Sequence, residues 1–194
     1  MAFTEALYDT PFYWMSADKA YRDAAMINRG RFTEEFAAER LEQVFGAGRV
    51  YRNVDIRESK STKLGEIDVL VLFADRAIVV QAKSKKLTLA ARKGNDLQLK
   101  GDFRSAVQDS YDQASACSGH LLSKSLTFTD ATGNQVHIPK SIKQIYPVCV
   151  VSDHYPALSF QARQFLQYGV TEVVQPPLSG PSEILVEHGY GRLM

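Results

Sequence analysis

From Gly65 to Lys86 the chain reads GEIDVLVLFADRAIVVQAKSKK, two strongly apolar runs separated by a short polar turn. The run Val69-Leu70-Val71-Leu72-Phe73 and the run Ala77-Ile78-Val79-Val80 are apolar on both alternating faces, as strands are when both sides of their sheet are covered. Such strands have little room for polar groups, yet these carry Asp68, Gln81 and Lys83. An acid, an amide and an amine at buried positions each cost several kcal/mol unless partnered, on the order of ~2–7 for a neutral polar group and more for a charge.

Alternation along a strand places Gln81 and Lys83 on one face, roughly 6–7 Å apart, with Ala82 on the other. If the turn around Ala74-Asp75-Arg76 closes an antiparallel hairpin with an even-numbered loop, Asp68 falls opposite Gln81 or Lys83 on that face, with side chains about 5 Å away. A carboxylate, an amide oxygen and an ammonium then meet at one end of a buried sheet. Hard divalent cations such as Mg²⁺ take oxygen ligands of this kind and keep several waters. An adjacent amine would position or deprotonate an attacking water. The competing reading is a structural Asp–Lys pair, which gives no account of a third polar group on the same face.

Gly65-Glu66-Ile67-Asp68 followed across the turn by Gln81-Ala82-Lys83 resembles the signature of the PD-(D/E)xK restriction-endonuclease-like superfamily. The GEID element resembles the NERD branch, and QAK resembles the QxK variant of Mrr-like enzymes. The resemblance implies a metal-dependent nuclease with Asp68, Gln81 and Lys83 in the catalytic site and the Ala82 carbonyl as a metal ligand. It implies Mg²⁺ or Mn²⁺ as cofactor. Upstream, Gly30 to Leu41 reads as a helix with Thr33 as N-cap and an apolar stripe at Ala37, Leu41, Val44 and Phe45. Glu34 lies on that stripe, whereas Glu35 and Glu39 project to its side. The family carries a metal-binding glutamate on this helix, and Gly30, Glu34, Ala37 and Leu41 match its pattern. Glu35 is the reserve candidate, because acids are favoured in any first helical turn.

Immediately after Lys83 come Lys85, Lys86, Arg92 and Lys93, which would give a phosphate backbone a place to lie. Only the local placement argues for nucleic acid, since the net charge of the whole chain is +1. Phe103 to Leu122 has helical apolar spacing, and Gln108 and Gln113 resemble glutamines that line the substrate groove in these nucleases.

With 194 residues, 45% of them hydrophobic, the chain is long enough for one sizeable core. No apolar run approaches the ~20 residues of a membrane helix, and MAFTEALYDTPFYW lacks the order of a signal peptide, so a cytoplasmic protein is expected. Cys117 and Cys149 are then expected to be free. His120, His137, His154 and His188 have no zinc-ligand spacing.

The expected organisation is an N-terminal helical extension over 1–28, in which Trp14, Tyr21, Ala25 and Met26 pack on the core or serve a partner. An α/β nuclease-like domain spans 29–178, and 179–194 is a linker or truncated tail. Within the domain the reading is strand Arg49–Ile56, a loop Arg57–Leu64, the motif hairpin, the long helix, a surface hairpin Ser125–Pro139, strand Tyr146–Val151, helix Ser159–Tyr168 and strand Val170–Val174. The resulting αβββαβ order gives a mixed central sheet flanked by helices, the restriction-endonuclease-like core. The functional expectation is hydrolysis of DNA phosphodiesters, with RNA as a further substrate class, in restriction, phage defence or repair. A homodimer and an attached or associated helicase, ATPase or effector region are expected partners. The alternatives are a catalytically inactive nucleic-acid-binding or protein-interaction module on the same fold, and a scaffold whose N-terminal aromatics mediate oligomerisation.

Overall fold

The hairpin at the centre of the sequence is the centre of the fold. In the computed structural model, which describes residues 2–152, strand β2 (Lys63–Phe73) and strand β3 (Arg76–Lys83) pair antiparallel, with Val69 opposite Val80 and Phe73 opposite Arg76. The loop is the two residues Ala74 and Asp75, which meets the condition of an even number. Ala74 takes the left-handed conformation (φ 54°) that tight hairpin turns demand. Strand β1 (Val50–Arg57) pairs antiparallel with β2, the short β4 (Thr127–Thr129) pairs antiparallel with β1, and β5 (Gln144–Val151) lies parallel to β3. The five-stranded sheet has the order β4-β1-β2-β3-β5 and is mixed, as an α/β restriction-endonuclease-like core requires.

Two helices cover its faces. Helix α2 (Arg22–Phe45) brings Ala37, Ala38, Leu41 and Phe45 onto Val50, Val69, Val71 and Val80. Small alanines at the contact let the helix approach the β-branched surface closely. On the other side Ala114, Cys117 and Leu121, from α5 (Asp109–His120) and its end, pack on Val54, Ile56, Ile67, Leu70, Leu72, Ala77 and Val79. Helices α3 (Leu89–Arg92) and α4 (Asp96–Phe103) follow β3, and α4 runs through a widened π turn at Arg104–Gln108 into α5. Thr88 and Asn95 cap α3 and α4 by accepting from Ala91 N and Gln98 N.

Alternation holds strictly along β3, where Ala77 and Val79 face α5 and Ile78 and Val80 face α2. Along β1 and β2 it slips. The residues packed with the α5 layer are Tyr51 and then Val54 and Ile56 in β1, and Ile67 and then Leu70 and Leu72 in β2. A spacing of three replaces two at Asn53 and at Asp68. Asn53 is left-handed (φ 47°), a conformation asparagine tolerates better than other non-glycine residues. The ladder runs from Arg52 opposite Val69 to Val54 opposite Ile67, so Asn53 and Asp68 stand at the same level.

Several expectations about α2 and the N-terminal segment require correction. Thr33 is no N-cap: it is buried within the helix and its hydroxyl donates back to the Arg29 carbonyl at 2.9 Å. The helix begins at Arg22, where Asp18 Oδ1 accepts from Ala20 N and Tyr21 N. Val44 is exposed and outside the packed stripe. The expected boundary at residue 28 therefore lies inside one continuous helix. Before it, α1 (Ala2–Ala17) is helical as expected, with Trp14 and Tyr21 exposed and Ala25 buried. The expected surface hairpin is abbreviated to β4 and a single bridge from Thr129 to Gln135, organised by Asp130, whose carboxylate accepts from the Thr132 and Asn134 backbone. The helix expected at Ser159–Tyr168, the strand at Val170–Val174 and the tail at 179–194 lie outside the described residues. Cys117 and Cys149 are free.

Candidate active site

The β2–β3 ladder ends at Val69 and Val80, and one step further it would set Asp68 opposite Gln81. There the side chains take over the backbone groups that pairing would have satisfied. Asp68 Oδ2 accepts from Ala82 N at 2.7 Å, and Gln81 Nε2 donates to the Glu66 carbonyl at 2.6 Å. Both bonds cross the gap between the strands and fix the two side chains at the sheet end. Gln81 is fully buried, and its Oε1 has no hydrogen-bond partner among the described residues. An orphaned buried amide oxygen costs about 1–3 kcal/mol. Beside a buried carboxylate, it is the arrangement that an oxygen-binding cation would relieve.

Asp68 is 8% exposed. Burial pushes its carboxyl up to about 6, against the Ala82 N–H and the Lys83 ammonium, which pull it down; Glu34 and Glu66 add to the rise. Glu34, half-buried on α2, thus shares an electrostatic environment with Asp68. Its Oε2 accepts from Asn53 Nδ2 at 3.1 Å. Lys83 Nζ donates to Gln113 Oε1 on α5 at 3.4 Å, so the amine is steadied from the opposite helical layer. Asp68, Gln81 and Lys83 come together at the sheet end, with Glu34 reaching toward them from α2. Glu35 is exposed and pairs with Arg31.

Among the described residues no three His, Cys, Asp or Glu side chains form a metal-binding group. A cation held here would rest on Asp68, Glu34, the Gln81 amide oxygen and the Ala82 carbonyl. This is a hard-oxygen set with one carboxylate fewer than an all-acid motif would supply.

The basic stretch divides. Lys93 is exposed at the end of α3 and Gln113 is exposed on α5. Lys85 is partly exposed and lies 3.6 Å from the buried Asp102, which also accepts from Thr88 N. Lys86 is a correction: its side chain is wholly buried, its ammonium 2.6 Å from Asp9 and over the Phe12 ring at 5.4 Å. Arg92 reaches the same carboxylate at 2.9 Å and lies over Tyr13. The physical reason is that α1 packs across this stretch and brings an acid with it. The two cations, with the hydrogen bond from Lys86 foremost, hold the Asp9 carboxyl below its ordinary value against its partial burial.

Asn53 and Asp9 are the site-related residues that sequence reading missed. A lone Asn in the strand VYRNVDIR is the detectable sign of the first, because strands disfavour Asn unless the backbone turns left-handed. Asp9 carries no comparable local sign. No helix among the described residues is long and apolar enough to cross a membrane.

No curated protein and no solved structure matches the chain. Residues 29–152, from the middle of α2 to the end of β5, match the model of the nuclease-related domain. That span contains Glu34, Asn53, Asp68, Gln81, Lys83 and Gln113, and the chain therefore belongs to the NERD family of nuclease-related domains.

Proposed function

We propose that the domain is a cytoplasmic, metal-dependent nuclease that hydrolyses phosphodiester bonds of DNA, with Mg²⁺ or Mn²⁺ held by Asp68, Glu34, Gln81 and the Ala82 carbonyl. The observation that carries this reading is the buried Asp68 carboxylate beside the unpartnered Gln81 oxygen, with the Lys83 ammonium close enough to pull on the Asp68 proton equilibrium. When bound, the cation supplies Lewis acidity toward a phosphoryl oxygen and a water made more acidic. Asp68 keeps its orientation through the Ala82 N–H. Lys83, steadied by Gln113, orients the attacking water and meets negative charge on the phosphate. Asn53 fixes Glu34 toward the site. Lys93 and Lys85, exposed beyond β3, offer phosphate contacts, as does Gln113; Arg92, held by Asp9 and the Tyr13 ring, is the least available of the group.

Lys83→Ala is the direct test. Cleavage of duplex and single-stranded DNA with Mg²⁺ should fall to background while circular dichroism and the melting curve stay those of the parent. Unchanged cleavage would sink the assignment.

A second reading, a nucleic-acid-binding module without catalysis, is favoured by one feature: Gln81 stands where an acid would complete the site, and no three-acid group forms among the described residues. Calorimetric titration with Mn²⁺ separates the two, since the inactive module would give no heat of metal binding at the Asp68 site.

A further inference from the structure

A cavity of about 280 Å³ opens where the end of α1, the first half of α2 and the end of β5 meet. Met15, Tyr21, Arg29, Phe32 and Ser152 are among the residues that line it. Two features set it apart from a packing gap. Arg29 makes no ion pair among the described residues: one guanidinium nitrogen donates to Ser84 O at 3.3 Å, the flat face lies over Phe12 at 4.8 Å, and Nε has no partner. Arginine is charged at any ordinary pH, so the cavity wall holds a cation that no carboxylate among the described residues pairs with. Ser152 Oγ is likewise buried, with no hydrogen-bond partner among the described residues. Two buried polar atoms without partners among the described residues thus stand behind one cavity, a donor pair of the kind an anion takes up.

The rest of the wall is Met15, Ala25, Tyr21 and Phe32, with Asn28 and Thr33 as its other polar members. Phe32 is 65% exposed, its ring stacked on Phe36 at 6.0 Å, and Tyr21 is 48% exposed, so both rings border the cavity from the surface. Base-on-ring stacking is the interaction such rings offer.

We propose that this cavity binds a nucleotide unit, its phosphate held by Arg29 and Ser152 and its base against Phe32 and Tyr21, an inference that rests on the nuclease reading above for its choice of ligand. Thr33, which lines the cavity, precedes Glu34 on α2, and Ser84, which Arg29 grips, follows Lys83. The pocket and the candidate active site thus share two adjacent stretches of backbone.

Isothermal titration of the full chain with AMP and with TMP, in EDTA so that no cleavage is involved, tests it. Each should bind one to one. Arg29→Gln should weaken binding by about tenfold or more and Ser152→Ala by about threefold or more, the scale of a charge-assisted and a neutral hydrogen bond. Ser152→Ala and Phe32→Ala keep the test open if Arg29→Gln fails to fold. Adenosine binding as tightly as AMP, or parental affinity in both Arg29→Gln and Ser152→Ala, would overturn the proposal, as would no detectable heat. Oligonucleotides with and without a terminal phosphate, titrated in competition with AMP, identify the source: competition only by the phosphorylated strand assigns the pocket to a strand end, and no competition assigns it to free nucleotide. Either outcome requires that AMP bind. Nucleotide binding that persists in a protein showing no cleavage under any metal would keep the pocket and remove the nuclease reading. Cleavage without nucleotide binding would do the reverse.

Discussion

Asn53, left-handed in the middle of β1, donates its side-chain amide to Glu34 on α2 at 3.1 Å. The bond ties a bend in the sheet to the helix above it and orients Glu34, the acid proposed as a metal ligand from α2. Asn53→Ala should cost about 1–2 kcal/mol in urea unfolding, combining the lost bond with a backbone conformation alanine resists. Asn53→Gly should keep the conformation and lose only the bond. Mn²⁺ affinity should drop several-fold in both, so a full-strength Mn²⁺ site in the glycine variant would remove Asn53 from any positioning role.

The raised Asp68 carboxyl makes stability depend on pH in a defined direction. Its folded value of about 6 lies above the ordinary 3.8, so the folded state binds this proton more tightly than the unfolded state. The favourable contribution is complete below the unfolded value and is lost as pH rises through about 6. Asp68→Asn keeps an acceptor for Ala82 N–H and removes the buried charge. It should stabilise the metal-free protein by about 2–3 kcal/mol at pH 8 and leave it nearly unchanged at pH 4. Chemical denaturation at the two pH values measures this, and a variant that is less stable at pH 8 contradicts it.

Metal binding should follow the same proton. As pH falls through about 6, Asp68 protonates, and Mn²⁺ affinity measured by calorimetry should weaken about tenfold per pH unit.

Gln81→Glu supplies a further carboxylate where an oxygen now lacks a partner. Mn²⁺ affinity should rise by about tenfold or more, while the metal-free protein loses stability at pH 8 because a second buried charge adjoins Asp68. Thermal melts with and without Mn²⁺ read both effects; equal melting shifts in parent and variant would show that position 81 does not touch the metal.

Asp9 is the counter-charge for the wholly buried Lys86. Removing it by Asp9→Ala should cost about 1.5–3 kcal/mol, the scale of hydrogen bonds to charged groups, because Lys86 and Arg92 both lose the carboxylate they share. The double variant Asp9→Ala with Lys86→Met should recover much of the loss, which equilibrium unfolding would show.

How much of this was legible beforehand divides along a physical line. The hairpin is local, and the apolar runs 69–73 and 77–80 on either side of a polar turn specify it; the even loop was a condition that Ala74 and Asp75 meet. The start of α2 at Arg22 was hidden because Thr33 and Glu34 mimic a helix start, while Asp18 performs that service upstream through its own turn. Lys86 read as a surface lysine beside other lysines. What buries it is a helix nearly eighty residues earlier in the chain, and nothing within a window around Lys86 carries that information. The abbreviated hairpin at β4 shows the converse: Asp130 collects the turn donors so fully that few remain for strand pairing.

The three-residue steps at Asn53 and Asp68 bear on how this domain tolerates change. Above and below them every inward side chain is answerable to one of two tightly filled layers, and its size and polarity are dictated by its neighbours. At the step itself a residue lies on the seam between the layers and is answerable to neither. Substitution there alters charge and hydrogen bonding while the volumes of both cores stay fixed. Charge and hydrogen bonding can therefore be rewritten at position 68, and at 53 among residues that accept a left-handed backbone, whereas a change of equal size at Val54 or Val69 has to be absorbed by a whole layer.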